Sequence, residues 1–158
     1  MANLIIDIGN TALKAAWADG ITLGKTFRYQ GEKISGFISS LTGKNRPDVM
    51  VVSTVRELSR NLEETLRTEC GTLVVMDSSH HEVALRHGLP QCLSPDRVAS
   101  VIAARHLFRG HGCTVFDFGT TLTVDFIGAD GAYQGGNISL GCRTRFKALN
   151  RYSRDLPL

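Results

Sequence analysis

A chain of 158 residues with 42% hydrophobic content is ordinary globular material, long enough to bury a core of its own. Its formal net charge of +3 is modest, and basic residues gather at Arg143, Arg145, Lys147, Arg151 and Arg154, a pattern closer to a solvated helix face than to a nucleic-acid surface. The four cysteines, at 70, 92, 113 and 142, include no CxxC pair and so give neither zinc spacing nor a disulfide framework. No apolar run approaches the roughly 18 residues of a membrane span, and Met1-Ala2-Asn3 runs straight into a strand, so the expectation is a reduced cytoplasmic protein.

In chain order, residues 3–8 and 12–17 read as strands joined by the turn Asp7-Ile8-Gly9-Asn10-Thr11. A third strand over 21–29 carries Ile21, Leu23, Phe27 and Tyr29 between Gly20 and Gly31. Ile34, Phe37, Ile38 and Leu41, spaced by three and four, predict a helix over 33–42. Pro47 ends the connection, and Val49-Met50-Val51-Val52 is a short apolar strand of the buried, parallel kind. Leu58, Leu62 and Leu66 at i, i+4 and i+8 predict the next helix, with Glu63 and Arg67 paired on its wet side; Leu73 to Met76 is a further buried strand.

Residues 77–96 are polar and broken by Gly88, Pro90 and Pro95, and read as an irregular crossing in which His80 and His81 are exposed loop residues. A helix over 96–108 follows, its apolar side made by Val98, Val101, Ile102, Ala104 and Phe108, with Arg105 and Arg109 suited to its C-terminal end. Strands at 113–117 and 122–127 then flank a second turn, Asp117-Phe118-Gly119-Thr120-Thr121. A short strand at Tyr133-Gln134 runs into Gly135-Gly136, which suit either a β-turn or the close approach of a nucleoside or strand. After Gly141, residues 142–153 read as a helix carrying Phe146, Ala148, Leu149 and Tyr152.

The two turns repeat one device: strand, tight glycine turn, strand, with a carboxylate at the strand end and a hydroxyl in the turn. An anionic ligand can lie against such turn amides while the carboxylate reaches a metal ion or ordered water. Two such hairpins in two lobes, facing each other across a cleft, would hold a nucleoside triphosphate. Length alone suggests one domain; the repeat suggests two related lobes, divided at 78/79. The first lobe orders as β-β-β-α-β-α-β, and neither GxGxxG nor GxxxxGK[ST] occurs, which weighs against dinucleotide-binding and P-loop folds. Asp7 would reach a Mg²⁺ carried by phosphates, Gly9 permits the close turn, and Asn10 and Thr11 can donate to phosphate oxygens. Lys14 can neutralise charge on a transferring phosphoryl group or serve only as an edge-strand lysine that discourages aggregation. Asp96 just before a helix suits a cap, and Arg97 beside it a surface ion pair.

Together these strings resemble the type III pantothenate kinases of the acetate/sugar kinase, Hsc70 and actin superfamily. Asp7-Ile8-Gly9-Asn10-Thr11-Ala12-Leu13-Lys14 matches DxGNTxxK, and Asp117 to Asp125 matches DxGTxxTxD. Gly135-Gly136-Asn137-Ile138-Ser139-Leu140-Gly141 resembles the GG-x-I-x-x-G segment, and Ser94-Pro95-Asp96-Arg97 the GxDR motif. The resemblance implies an α/β, ribonuclease-H-like, two-lobed kinase fold and ATP-dependent phosphorylation of pantothenate, the first step of coenzyme A synthesis. It implies Mg²⁺ and a monovalent cation (K⁺ or NH₄⁺) as cofactors, and a homodimer with no membrane or nucleic-acid partner. By the same resemblance Asp96 is general base toward the acceptor hydroxyl, Arg97 contacts acceptor or phosphate oxygens, and His87 lies in the acceptor loop. Asp117 would help ligate the monovalent cation, with Gly119, Thr120 and Thr121 against the phosphates. Asp7, Lys14, Asp96 and Asp117 are thereby expected to line one cleft.

Three residues depart from the family pattern: Ser94 replaces the glycine of GxDR, Leu140 a proline, and His87 stands where a tyrosine often precedes Pro90 by three. The second lobe shows only β-β-β-α, so the chain is expected to be the front part of a longer family member of roughly 250 residues, with an apolar sheet face that a dimer would cover. Two other readings stay open: a superfamily kinase with another acceptor, and a non-catalytic nucleotide-binding or regulatory relative.

Overall fold

The computed structural model describes residues 2–55, 57–79, 81–153 and 155; His80 and Arg154 lie outside the described residues. The chain divides into two compact units, Met1–Arg86 with Pro90–Asp96, and His87–Leu89 with Arg97–Leu158. In the first unit β1 (Asn3–Ile8), β2 (Leu13–Asp19), β3 (Thr22–Tyr29), β4 (Val49–Thr54) and β5 (Thr72–Met76) form one sheet in the order β3-β2-β1-β4-β5. β1 is antiparallel to β2 and parallel to β4, and β4 is parallel to β5, which makes the sheet mixed, as its sequence order requires.

Leu4 and Ile6 on β1, Leu13 and Ala15 on β2, and Met50 and Val52 on β4 share one face. That face is buried together with Ile38 of α1 (Ile34–Thr42) and Leu66 of α2 (Arg60–Glu69). Each of the leucine, isoleucine, methionine and valine side chains among them contributes about 1.5–3 kcal/mol of burial. Tyr29 stacks on Phe37 with centroids 4.6 Å apart, tying the end of β3 to α1. The Glu63–Arg67 pair is present on the exposed side of α2.

Two local expectations change. Leu58 packs in the core but stands before α2 rather than inside it. Its amide donates to Asp77 Oδ2 at 3.1 Å, while Ser59 caps the helix by accepting from the Leu62 amide. Within the stretch expected to be irregular, residues Glu82–Arg86 form a single helical turn, α3, with Ala84 buried.

The second unit carries most of α4 (Pro95–Leu107), then β6 (Cys113–Phe118), β7 (Thr121–Ile127), β8 (Tyr133–Leu140) and α5 (Cys142–Tyr152). The three strands form an antiparallel sheet in the order β6-β7-β8. β8 is longer than expected: Gly135 and Gly136 lie within it, opposite Phe126 and Asp125, rather than in a turn. Phe116, Phe118 and Phe126 share one sheet face and remain 45–68% exposed. Among the described residues no helix is long and apolar enough to cross a membrane.

Candidate functional site

The first turn lies between the paired residues Ile8 and Leu13, and the Gly9 amide closes it by donating to the Ala12 carbonyl at 3.1 Å. A methyl group on Gly9 would come 3.3 Å from that same oxygen, so the turn is tight enough to favour glycine. Asn10 and Thr11 are exposed at its tip. Asp7 ends the buried part of β1 with its carboxylate still 41% exposed, and its cross-strand partner is Lys14. The Lys14 ammonium stands 3.9 Å from Asp7 Oδ2, which is charge proximity without a hydrogen bond.

Beside this turn lies a cavity of about 440 Å³, within the usual range for small-molecule pockets. Ile8, Leu13, Leu58 and Leu62 give it an apolar lining, and Asn10 and Thr11 border it.

The second turn is built alike but shorter. Three residues, 119–121, separate the paired Phe118 and Leu122, against the four of 9–12, and the Gly119 amide donates to the Thr121 carbonyl at 2.9 Å. Consequently Asp117 faces Thr123 across its hairpin, where Asp7 faces a lysine. The Thr120 carbonyl accepts from the Gly141 amide at 3.0 Å and from Thr144 Oγ1 at 2.8 Å, so the start of α5 braces this turn. A side chain on Gly141 would collide with the Gly119 carbonyl and lie 2.7 Å from the Thr120 carbonyl; the last glycine of the GG-x-I-x-x-G string gives space to this brace.

Pro95 opens α4 with its fixed φ, and Asp96 sits inside the first helical turn rather than ahead of it. There a carboxylate faces the positive end of the helix dipole. Arg97 turns the other way. Its Nη2 donates to Asp125 Oδ1 at 2.6 Å and its Nε to Asp125 Oδ2 at 3.1 Å, with both side chains nearly inaccessible. Tyr133 Oη donates to Asp125 Oδ1 at 2.8 Å and accepts from Arg97 Nη2 at 3.1 Å. The sequence suggested acceptor or phosphate contacts for this guanidinium; these two donors are occupied inside the second unit instead. Asp125 and Tyr133 went unassigned in the sequence. The available signal was a carboxylate inside the mostly apolar run Leu122 to Ile127.

His87 is exposed after α3, and its carbonyl accepts from Arg105 Nη1 at 2.7 Å. Among the described residues no group of three or more His, Cys, Asp or Glu side chains is arranged to hold a metal ion. A half-exposed single carboxylate such as Asp7 does suit Mg²⁺, which takes one or two carboxylates and completes its shell with phosphate and water oxygens. All four cysteines are free, and burial pushes the Cys70 thiol above the ordinary range.

The paired glycine-turn hairpins and the mixed sheet with helices define a fold of the sugar-kinase, Hsc70 and actin class. Solved structures agree on the fold. The activator of the 2-hydroxyisocaproyl-CoA dehydratase from Clostridium difficile, with bound ADPNP, matches with a TM-score of 0.54 and 14% identity, over 98% of this chain and 53% of that one. The Ppx/GppA phosphatase of Aquifex aeolicus matches with a TM-score of 0.55 and 13% identity, over 96% of this chain and 55% of that one. The family model described as type III pantothenate kinase matches residues 3–158. The type III pantothenate kinase of Phocaeicola vulgatus is 40% identical over 98% of this chain. The chain belongs to the type III pantothenate kinase family, and spans 64% of the length of that curated relative.

Proposed function

We propose that the whole protein is an ATP-dependent pantothenate kinase that phosphorylates the primary hydroxyl of pantothenate, giving 4′-phosphopantothenate for coenzyme A synthesis. The observation that carries this reading is the pair Asp7–Lys14 at the mouth of a tight glycine turn, in a chain of this family. ATP supplies the phosphoryl group as substrate, and a Mg²⁺ held from Asp7 would neutralise phosphate charge. Asn10 and Thr11 in the first turn, and Gly119, Thr120 and Thr121 in the second, orient the phosphates through short polar groups. Lys14 offsets charge that gathers on the transferring group. Asp96 accepts the proton of the acceptor hydroxyl; in a loose transition state that proton leaves late, so an ordinary carboxylate serves. Asp117 contributes to a site for K⁺ or NH₄⁺, His87 belongs to the acceptor loop, and two copies assemble as a dimer.

A second reading keeps the same phosphate turns but changes the acceptor. It is favoured by Ser94, Leu140 and His87, which depart from the family strings in the acceptor segment and the glycine-rich strand. A coupled assay with ATP, Mg²⁺ and K⁺ separates the two. ADP release dependent on pantothenate supports the first reading; release with another small alcohol but not pantothenate supports the second. No release with any acceptor, from this chain or a full-length relative of it, would end both.

A further inference from the structure

We infer that Arg97, Asp125 and Tyr133 form a buried latch that fixes the first turn of α4, making Arg97 and Tyr133 positioning residues for Asp96. The inference rests on the reading of Asp96 as the general base, and it deepens that site rather than adding another.

Burying two opposite charges is costly unless their geometry and remaining hydrogen bonds are very good. Here they are. The Arg97 and Asp125 side chains are 9% and 2% exposed, and the guanidinium meets the carboxylate side-on through two nitrogens. Tyr133 closes the ring of contacts by donating to the carboxylate and accepting from the same guanidinium nitrogen. Charge-assisted, forked contacts of this kind define an orientation as well as an attraction.

The chain has also made room for the latch. Gly136 on β8 is the cross-strand partner of Asp125. A methyl group there would strike the Val124 carbonyl and come 2.5 Å from Arg97 Nη2 and 2.6 Å from Asp125 Oδ1. The second glycine of the Gly135-Gly136 pair is thus accounted for by the Val124 carbonyl and the ion pair packed beside it, with no nucleoside needed.

The latch joins residues 28 and 36 positions apart in sequence, so it holds α4 to β7 and to the start of β8. Its helical end is Arg97, next to Asp96 in the first turn of α4, where helices otherwise fray. A base must be held to within a few tenths of an ångström of the proton it takes. Anchoring the adjacent residue to a sheet is a direct way to hold it, and it leaves the Arg97 fork committed to protein.

Two measurements test this and separate it from the functional reading beneath it. In hydrogen-exchange mass spectrometry of this chain, Tyr133→Phe and Asp125→Asn should each speed exchange in the peptide covering 94–101 by about tenfold or more, with peptides from β1 to β5 unchanged. Unchanged exchange in that peptide would overturn the latch. In a mutant cycle on the pantothenate-phosphorylating enzyme, Tyr133→Phe should lower kcat by about tenfold with KM for ATP unmoved, and should add almost nothing in an Asp96→Asn background. An equal loss in both backgrounds would overturn the inference, because Tyr133 would then act independently of Asp96. Should the wild type show no pantothenate turnover, the functional reading falls, and the exchange comparison alone decides whether the latch exists.

Discussion

Lys14 stands opposite Asp7 across the first hairpin, with its ammonium 3.9 Å from the carboxylate and most of its side chain in water. An exposed pair at that distance contributes about 0–1 kcal/mol to stability. Lys14→Ala should therefore leave the melting temperature within a few degrees of wild type. The same change should lower ATP-dependent phosphorylation by roughly 10²-fold, since the charge is needed where phosphoryl oxygens gather negative charge. Matched melting curves and coupled assays check both halves; a destabilised variant with normal turnover would make Lys14 a structural lysine.

Asp96 carries a different expectation. Asp96→Asn should reduce kcat by roughly 10²–10⁴-fold while nucleotide affinity, measured by calorimetry, stays near wild type. Near-normal turnover would return Asp96 to the role of a helix-end carboxylate in the first turn of α4.

Much of the first unit was readable because its signals are local. Alternating or continuous apolar runs marked β1, β4 and β5, and spacings of three and four marked α1. The misreadings came where a distant partner overrides a local pattern. Leu58 has the spacing of a helical residue, but its amide is claimed by Asp77, 19 positions away. Gly135 and Gly136 look like a turn because glycine frees the backbone, yet they belong to a strand whose neighbours demand space. The two glycine turns were legible as strings. The burial of Arg97 against Asp125 was not, since nothing local distinguishes a substrate-facing arginine from a paired one.

Stability should report the latch more strongly than any surface pair. Asp125→Asn leaves the Arg97 charge buried without its counter-ion, and breaking such a pair costs about 3–5 kcal/mol. Gly136→Ala should cost roughly 1–3 kcal/mol by overpacking against the Val124 carbonyl and the pair itself. Urea unfolding of both variants measures these losses, and a Gly136→Ala variant as stable as wild type would contradict the crowding at β8.

The cysteines should separate by reactivity. Cys70 is buried and its thiol is raised by desolvation, whereas Cys92 and Cys142 are exposed. Brief alkylation of the native chain should label Cys92 and Cys142 and spare Cys70, as read by mass spectrometry of peptides. Because the folded thiol ionises at higher pH than the unfolded one, its contribution to stability is full below the ordinary thiol pKa and is lost as pH rises through the raised value. Rapid labelling of Cys70 in the native state would contradict its burial.

Assembly gives the last expectation. Phe116, Phe118 and Phe126 place aromatic surface on one side of the second sheet, and Phe116 and Phe118 stack with centroids 6.2 Å apart. Exposed apolar surface of this kind favours association. Sedimentation should find the chain as a dimer, and Phe118→Glu should shift it toward monomer; a wild-type monomer that binds no apolar dye would count against the dimer.

The unequal turns each lie wholly between paired residues, Ile8 with Leu13 in one hairpin and Phe118 with Leu122 in the other. Transplanting Gly119-Thr120-Thr121 in place of residues 9–12 would therefore keep Ile8 opposite Leu13 and leave the β1–β2 register as it is. Leu13 and Ala15 would stay on the face they share with Leu4 and Ile6, and Lys14 would stay opposite Asp7. The change would fall on the tip, which would lose one backbone amide and the Asn10 side chain. Recombination between the two halves at this turn would thus preserve the core of the first sheet and alter the loop that borders the cavity.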